Sequence, residues 1–194
     1  MDRPDLEAIV VSHGAQELLR RCLESLERHP PAVTMKVTVV DSGSPDGTPD
    51  MVEREFPRVH LVRRENVGFS AANNVVLEST DAPFVLLLNP DTEVYEGALD
   101  SSLARLRADG SIGMVGCKLV LPEGGIDHAA KRSFPTPIGA LGHFTGIGQG
   151  DKANGALSQY RATELGDDEP GEVDAVNGAY MMVRREALAD VGPL

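Results

Sequence analysis

Phe84-Val85-Leu86-Leu87-Leu88-Asn89-Pro90-Asp91-Thr92-Glu93 joins five consecutive apolar residues to a turn of oxygen-bearing side chains. An apolar run of this length, bounded by turn signals, reads as a strand buried on both faces, as in a parallel sheet covered by helices. It is the longest clean apolar run in the chain and far too short to span a bilayer. In an open sheet of that kind, ligands bind beyond the carboxyl ends of the strands. The turn after Leu88 is therefore the first place to look for chemistry.

The same pattern repeats toward the N-terminus. Glu7 to Ser12 and Lys36 to Asp41 are short runs rich in β-branched residues, and Val59 to Val62 is a third, shorter one. Helical spacing fills the gaps. Gln16 to His29 carries Leu18, Leu19, Cys22, Leu23 and Leu26 and is stopped by Pro30-Pro31. Thr48 is placed to cap a helix running to about Glu55, with Pro49 at its first position, and Phe69 to Glu78 forms the next. Toward the C-terminus, Gly97 to Asp109 presents Leu99, Leu103 and Leu106 on one face, and Ile112 to Val120 reads as a fifth strand. The alternation predicts an α/β fold with a mostly parallel sheet and helices on both faces. It breaks down from Leu121 to Glu172, which holds Gly124-Gly125, Pro135, Pro137 and an acidic run from Glu164 to Asp174, read as a solvated loop. Val173 to Val183 reads as a last strand, followed by a short helix from about Arg185.

The length of 194 residues suits one domain able to bury a core without disulfides or a structural metal. Eighteen basic against 30 acidic side chains give a formal net charge of −12. So acidic a surface repels phosphate backbones and anionic lipid, which argues against nucleic-acid or membrane-surface binding through a basic patch. A nucleotide ligand remains compatible, because a divalent metal can bridge carboxylates to phosphates. Cys22 and Cys117 stand in no metal-ligand spacing and read as reduced core thiols of a cytosolic chain. Met1 to Asp5 has neither the basic nor the apolar region of a signal peptide.

The residues after each strand are the candidates. Ser12-His13-Gly14-Ala15 follows the first, and no Walker loop or dinucleotide fingerprint occurs in a suitable place. His13 suits a nucleotide neighbour or a satisfied loop histidine. Asp41 to Thr48 follows the second: Asp41 suits a base or ribose contact, or a turn closed by local Asp and Ser bonds. Asn66-Val67-Gly68-Phe69, leading to Asn73-Asn74, suits close backbone approach to a ligand or a tight turn into a packed helix. After the fourth strand, Asp91 offers a hard oxygen for Mg²⁺ or Mn²⁺, or caps the segment that follows.

Taken together and in order, Ile9 to Ser12, Val39 to Thr48, Asn66 to Phe69 with Asn74, and Leu86 to Thr92 resemble the pattern of glycosyltransferase family 2, in its rhamnosyltransferase-like branch. Val173-Asp174-Ala175-Val176-Asn177-Gly178-Ala179, with Met181 to Arg185, resembles the family's next block. The resemblance implies a GT-A fold and transfer of a sugar, with inversion, from a nucleoside-diphosphate donor to a glycan or lipid-linked acceptor. It implies a single domain over residues 1–194, with a donor-binding core at 1–120, an irregular region at 121–172 and the start of an acceptor-side segment at 173–194. Ser12, His13, Asp41, Ser44, Asn66, Gly68 and Asn74 would line the nucleotide. Asp91 would hold Mg²⁺ or Mn²⁺ in the family's Asp-x-Asp motif, with Asn89 where the first Asp often stands. Asn177, Gly178 and Ala179 would lie on the donor-sugar or acceptor side. The implied setting is cytoplasmic, including the cytoplasmic face of a membrane, with no span in this chain.

The chain departs from the family at Val191-Gly192-Pro193-Leu194, where an acidic block carrying the general base would begin. That base is expected beyond Leu194, and an unfinished C-terminal side should leave apolar surface exposed around Val183. Two other readings compete. A chain cut short would keep donor binding or serve as an interaction module without catalysis. A nucleotidyltransferase would need basic residues in a glycine-rich loop after the first strand, where Ser12 to Ala15 has only His13.

Overall fold

The computed structural model describes residues 3–127, 131–132 and 170–194. In chain order these form β1 (Leu6–Ser12), α1 (Gln16–Arg28), β2 (Met35–Ser42), α2 (Thr48–Glu55), β3 (His60–Arg64), α3 (Phe69–Leu77), β4 (Phe84–Leu88), α4 (Ala98–Ala108), β5 (Met114–Val115), β6 (Lys131–Arg132), β7 (Ala175–Val176), β8 (Tyr180–Arg184) and α5 (Arg185–Val191). The chain divides into two compact units: residues 1–115 with 178–194, and residues 116–177. In the second unit β6 and β7 pair antiparallel, and Val120 bridges Ile126.

The first unit is built on a sheet of order β3-β2-β1-β4-β8-β5. β1 pairs in parallel with both β2 and β4, and β2 with β3. β8 runs antiparallel to both of its neighbours, β4 and β5. The chain steps outward from β1 to β2 to β3 and then returns across the sheet to β4. Strand order thus reverses between β1 and β4, and in open α/β sheets ligands bind beyond the carboxyl ends of the strands at such a point.

Alternation along the strands sends side chains to the two faces in turn. Ile9, Val40, Val85 and Leu87 meet Ala72 and Val76 of α3 on one face. The other face lies under α1, α2 and α4, whose Leu19, Leu23, Leu26, Met51, Leu99, Leu103 and Leu106 are buried. Each such large side chain contributes about 1.5–3 kcal/mol. α4 is tied to β8 there: the Tyr180 hydroxyl donates to Ser102 Oγ at 3.1 Å, and the Arg184 guanidinium donates to the Leu106 carbonyl. A cation at those last carbonyls also opposes the helix dipole.

One polar cluster sits in this core, toward the amino ends of the strands. The Glu7 side chain is 2% exposed. It accepts hydrogen bonds from the hydroxyls of Thr38 and Thr80 and pairs with Lys36 Nζ at 2.8 Å. Burial pushes its carboxyl pKa up, but the bonds from Lys36, Thr80 and Thr38 prevail and hold it below the usual value.

Several sequence expectations need correction. The third strand is His60–Arg64 rather than Val59 to Val62, because backbone pairing with β2 carries it on through two arginines. Thr48 does not cap α2 but begins it after Gly47, and its hydroxyl is turned back to Asp46. Ile112 to Val120 contributes only Met114–Val115 to the sheet before the chain enters the second unit. Val173 to Val183 is two strands, interrupted at residues 177–179. Val183 is buried between neighbouring strands, and the exposed apolar residues at this end are Val191 and Leu194. Most of the acidic run, from Glu164 to Glu169, lies outside the described residues.

Candidate functional site

Among the described residues, three polar side-chain atoms buried at the carboxyl edge have no hydrogen-bond partner: Ser12 Oγ, Asp41 Oδ1 and Ser42 Oγ. Ser12 and Asp41 are register partners at the ends of β1 and β2 and so share a face, while Ser42 points to the other. A buried polar atom without a partner costs about 1–3 kcal/mol. Ser12 Oγ and Asp41 Oδ1, together on one face, mark a place fitted for an external donor or acceptor.

The loops above these strands are held by local bonds. The other oxygen of Asp41, Oδ2, accepts the Ser44 N–H at 3.3 Å, and Ser44 Oγ accepts the Gly14 N–H at 2.9 Å. His13 Nδ1 lies 2.8 Å from the Ser42 carbonyl. A carbonyl only accepts, so Nδ1 carries the proton and a neutral ring leaves Nε2 as an acceptor. Asp46 braces the floor by accepting the N–H groups of Thr48 at 3.1 Å and Gln16 at 3.4 Å, the first residues of α2 and α1. The Thr48 hydroxyl, ahead of these backbone donors, lowers the Asp46 carboxyl pKa. Ser12, His13, Asp41 and Ser44 are thus brought into one cluster.

Asn66 and Gly68 shape the entry to α3. Asn66 Oδ1 accepts the Gly68 N–H at 3.1 Å, and Gly68 has φ +87°, a left-handed conformation that disfavours any side chain. Asn74 is engaged elsewhere. Its Nδ2 donates to the main-chain oxygen of Leu194 at 2.8 Å, and its Oδ1 accepts the Leu194 N–H at 3.0 Å.

Across the switch point, the turn after β4 is fixed through its backbone. The Asn89 N–H donates to the Ala179 carbonyl at 3.0 Å, and the Asn89 carbonyl accepts the Thr92 N–H at 3.2 Å. Behind it, the Cys22 thiol of α1 lies 3.7 Å from the same carbonyl. Burial, with Asp91 and Glu93 nearby, pushes that thiol up to about 12. The Asp91 side chain is exposed and makes no ion pair among the described residues, whereas Glu93 pairs with Arg21. Gly178 and Ala179 therefore adjoin the Asn89–Asp91 turn; Asn177 belongs to the second unit.

No group of three His, Cys, Asp or Glu side chains able to hold a metal occurs among the described residues. Asp91 nevertheless fits a Mg²⁺ or Mn²⁺ ion, which is commonly held by one or two carboxylates and completed by substrate phosphates. Ser42 was not singled out by sequence reasoning. It closes a strand whose outward residues cannot be told from its inward ones until the register is known.

The model of glycosyl transferase family 2 matches residues 7–192. The chain belongs to that family. A relative, the N-acetylglucosaminyl-diphospho-decaprenol L-rhamnosyltransferase of Mycobacterium tuberculosis, is 27% identical over 201 residues, covering 96% of this chain and 64% of the relative. The mannosyltransferase PcManGT from Pyrobaculum calidifontis, solved with GDP-Man and Mn²⁺, superposes with a TM-score of 0.65 at 21% identity, over all of this chain and 48% of its own. TarS 1–349 of S. aureus gives 0.62 at 17% identity, over 96% and 49%. This family 2 chain therefore has the GT-A fold, and it spans about half to two thirds of the length of these relatives.

Proposed function

We propose that this family 2 chain binds a nucleoside-diphosphate sugar at the carboxyl edge of its sheet and transfers the sugar, with inversion, to a glycan or lipid-linked acceptor. The observation that carries the reading is the orphaned pair Ser12 Oγ and Asp41 Oδ1, set across the switch point from Asp91. Asp41 would accept from the nucleoside, with Ser12 and His13 Nε2 beside it. Asn66 and Gly68 would shape the loop over the nucleotide. Ala179 and Gly178 would border the sugar.

In the reaction an acceptor hydroxyl oxygen bonds to the anomeric carbon from the face opposite the diphosphate. The bond from that carbon to the phosphate oxygen breaks, and the diphosphate leaves with the electron pair. The hydroxyl proton passes to a carboxylate base, which the family resemblance puts after Leu194. A divalent ion held by Asp91, with Asn89 alongside, would supply positive charge against the departing diphosphate. The mannosyltransferase solved with GDP-Man and Mn²⁺ supports both the donor class and the ion. The mycobacterial relative, named for transfer of L-rhamnose to N-acetylglucosaminyl-diphospho-decaprenol, supports a lipid-linked acceptor. No helix among the described residues is long and apolar enough to cross a membrane. The implied working place is the cytoplasm, including the inner face of a membrane.

The test is thermal denaturation with UDP, GDP and dTDP, each with Mn²⁺ or with chelator. The reading expects a rise in Tm with at least one nucleotide and Mn²⁺, and little with chelator. No rise under any condition would overturn it. A rise without turnover of the matching sugar nucleotide would favour a donor-binding chain that does not itself catalyse.

A further inference from the structure

The path of the chain after the site leads to a second role at the same edge. β8 leaves the carboxyl edge at Tyr180, opposite Leu88, and reaches the amino edge at Arg184, opposite Phe84. α5 then turns the chain back, and Gly192, with φ +90° and its N–H on the Leu188 carbonyl, ends the helix. Two residues later the backbone meets α3, the helix that opens with the Asn66–Phe69 loop. There the carboxamide of Asn74 takes both main-chain groups of Leu194, one as donor and one as acceptor. A primary amide pairing in this way copies one rung of a β-ladder, which holds a backbone in register without regard to its side chain.

We propose that Asn74 is a positioning residue that fastens the returning Gly192–Leu194 segment to the donor-side helix, rather than a lining residue of the nucleotide site. The inference rests on the glycosyltransferase reading for its consequence: segment and donor loop are held in fixed relation, so that the acceptor side is set relative to the bound sugar. Both polar groups of the side chain are used in the clamp. Its neighbour Asn73 is buried and donates instead to the Phe69 carbonyl within the helix. The two asparagines therefore serve different ends: Asn73 steadies the first turn of α3, and Asn74 receives the incoming strand of chain.

The test compares the wild-type protein, Asn74→Ala and Asn74→Asp, each as the full polypeptide its gene encodes. Hydrogen exchange at the Leu194 amide reads the clamp. Calorimetry with UDP, GDP and dTDP plus Mn²⁺ reads donor affinity. Release of nucleoside diphosphate from UDP-GlcNAc, GDP-mannose and dTDP-rhamnose reads turnover. Asn74→Ala should speed Leu194 exchange and lower kcat, each by about tenfold, with nucleotide affinity within about twofold of wild type. Asn74→Asp keeps the acceptor for the Leu194 N–H and should restore much of the slow exchange. Unchanged exchange at Leu194 in Asn74→Ala overturns the clamp. A loss of nucleotide affinity at unchanged kcat puts Asn74 on the donor and overturns the positioning role. A wild-type protein that binds none of the nucleotides defeats the glycosyltransferase reading instead, and the exchange result still decides the clamp.

Discussion

The two ends of β1 and β2 treat buried polar groups in opposite ways. Toward the amino ends, Glu7 is buried with the hydroxyls of Thr38 and Thr80 and the Lys36 ammonium all turned to it. At the carboxyl ends, Ser12 Oγ, Asp41 Oδ1 and Ser42 Oγ are as deeply buried and have no partner. Isolated buried charge is costly and normally paired. The first end behaves as that rule demands. The second keeps its bonding capacity in reserve. Within one pair of strands, the fully satisfied carboxylate belongs to the scaffold, and the half-satisfied one lies where the nucleotide is proposed to bind.

The contrast can be broken most severely at the Asn89–Asp91 turn, where a metal is proposed to sit. Asp91→Ala should abolish the Mn²⁺-dependent rise in Tm with nucleotide and lower nucleoside-diphosphate release on the order of 10²- to 10³-fold, with the melting point of the free protein unmoved. An unchanged shift would move the metal to other residues. Asp41→Asn should weaken nucleotide binding by roughly 10- to 100-fold in calorimetry. Because Oδ1 of Asp41 is unpaired in the free protein, that change should leave urea stability equal or higher.

Glu7→Gln should do the reverse: a loss of about 1–3 kcal/mol in urea denaturation with nucleotide affinity unaltered. Its pH dependence has a definite sign. The folded carboxyl titrates below its ordinary 4.5, so its stabilising contribution is complete above that value and is lost as pH falls through the lower folded one. Acid denaturation curves of wild type and Glu7→Gln should therefore converge below about pH 4.5. The remaining prediction, which touches neither ligand binding nor stability, concerns Cys22. With its thiol pushed up to about 12, it should react with a disulfide reagent at pH 8 at least about 100 times more slowly than free cysteine. Fast labelling in the native protein would show that α1 opens behind the Asn89 turn.

The central strands and helices were legible because their apolar spacing is decided by burial on both faces. β3 was misplaced for the converse reason. It is an edge strand whose last two residues are Arg63 and Arg64, and an edge needs no apolar run to pair. The interruption between β7 and β8 was unreadable because Ala175, Val176 and Tyr180 all suit strands, and the first two pair with a different partner from the last. Asp41, Asn89 and Asp91 could be put forward as candidates from their position after apolar strands. The engagement of Asn74 could not be, since its partner lies 120 residues away and binds through backbone alone.

The position of β8 has a consequence for how the molecule is made. β4 pairs on one side with β1, already synthesised, and on the other with a strand emerging about 90 residues later. On a ribosome adding roughly 5–20 residues per second, the most apolar strand keeps one open flank for several seconds while the second unit is translated. During that interval the nascent chain presents a row of unpaired backbone groups, a template for a neighbouring chain or a chaperone. Closure of the sheet along β4 is therefore a late event in the birth of the protein.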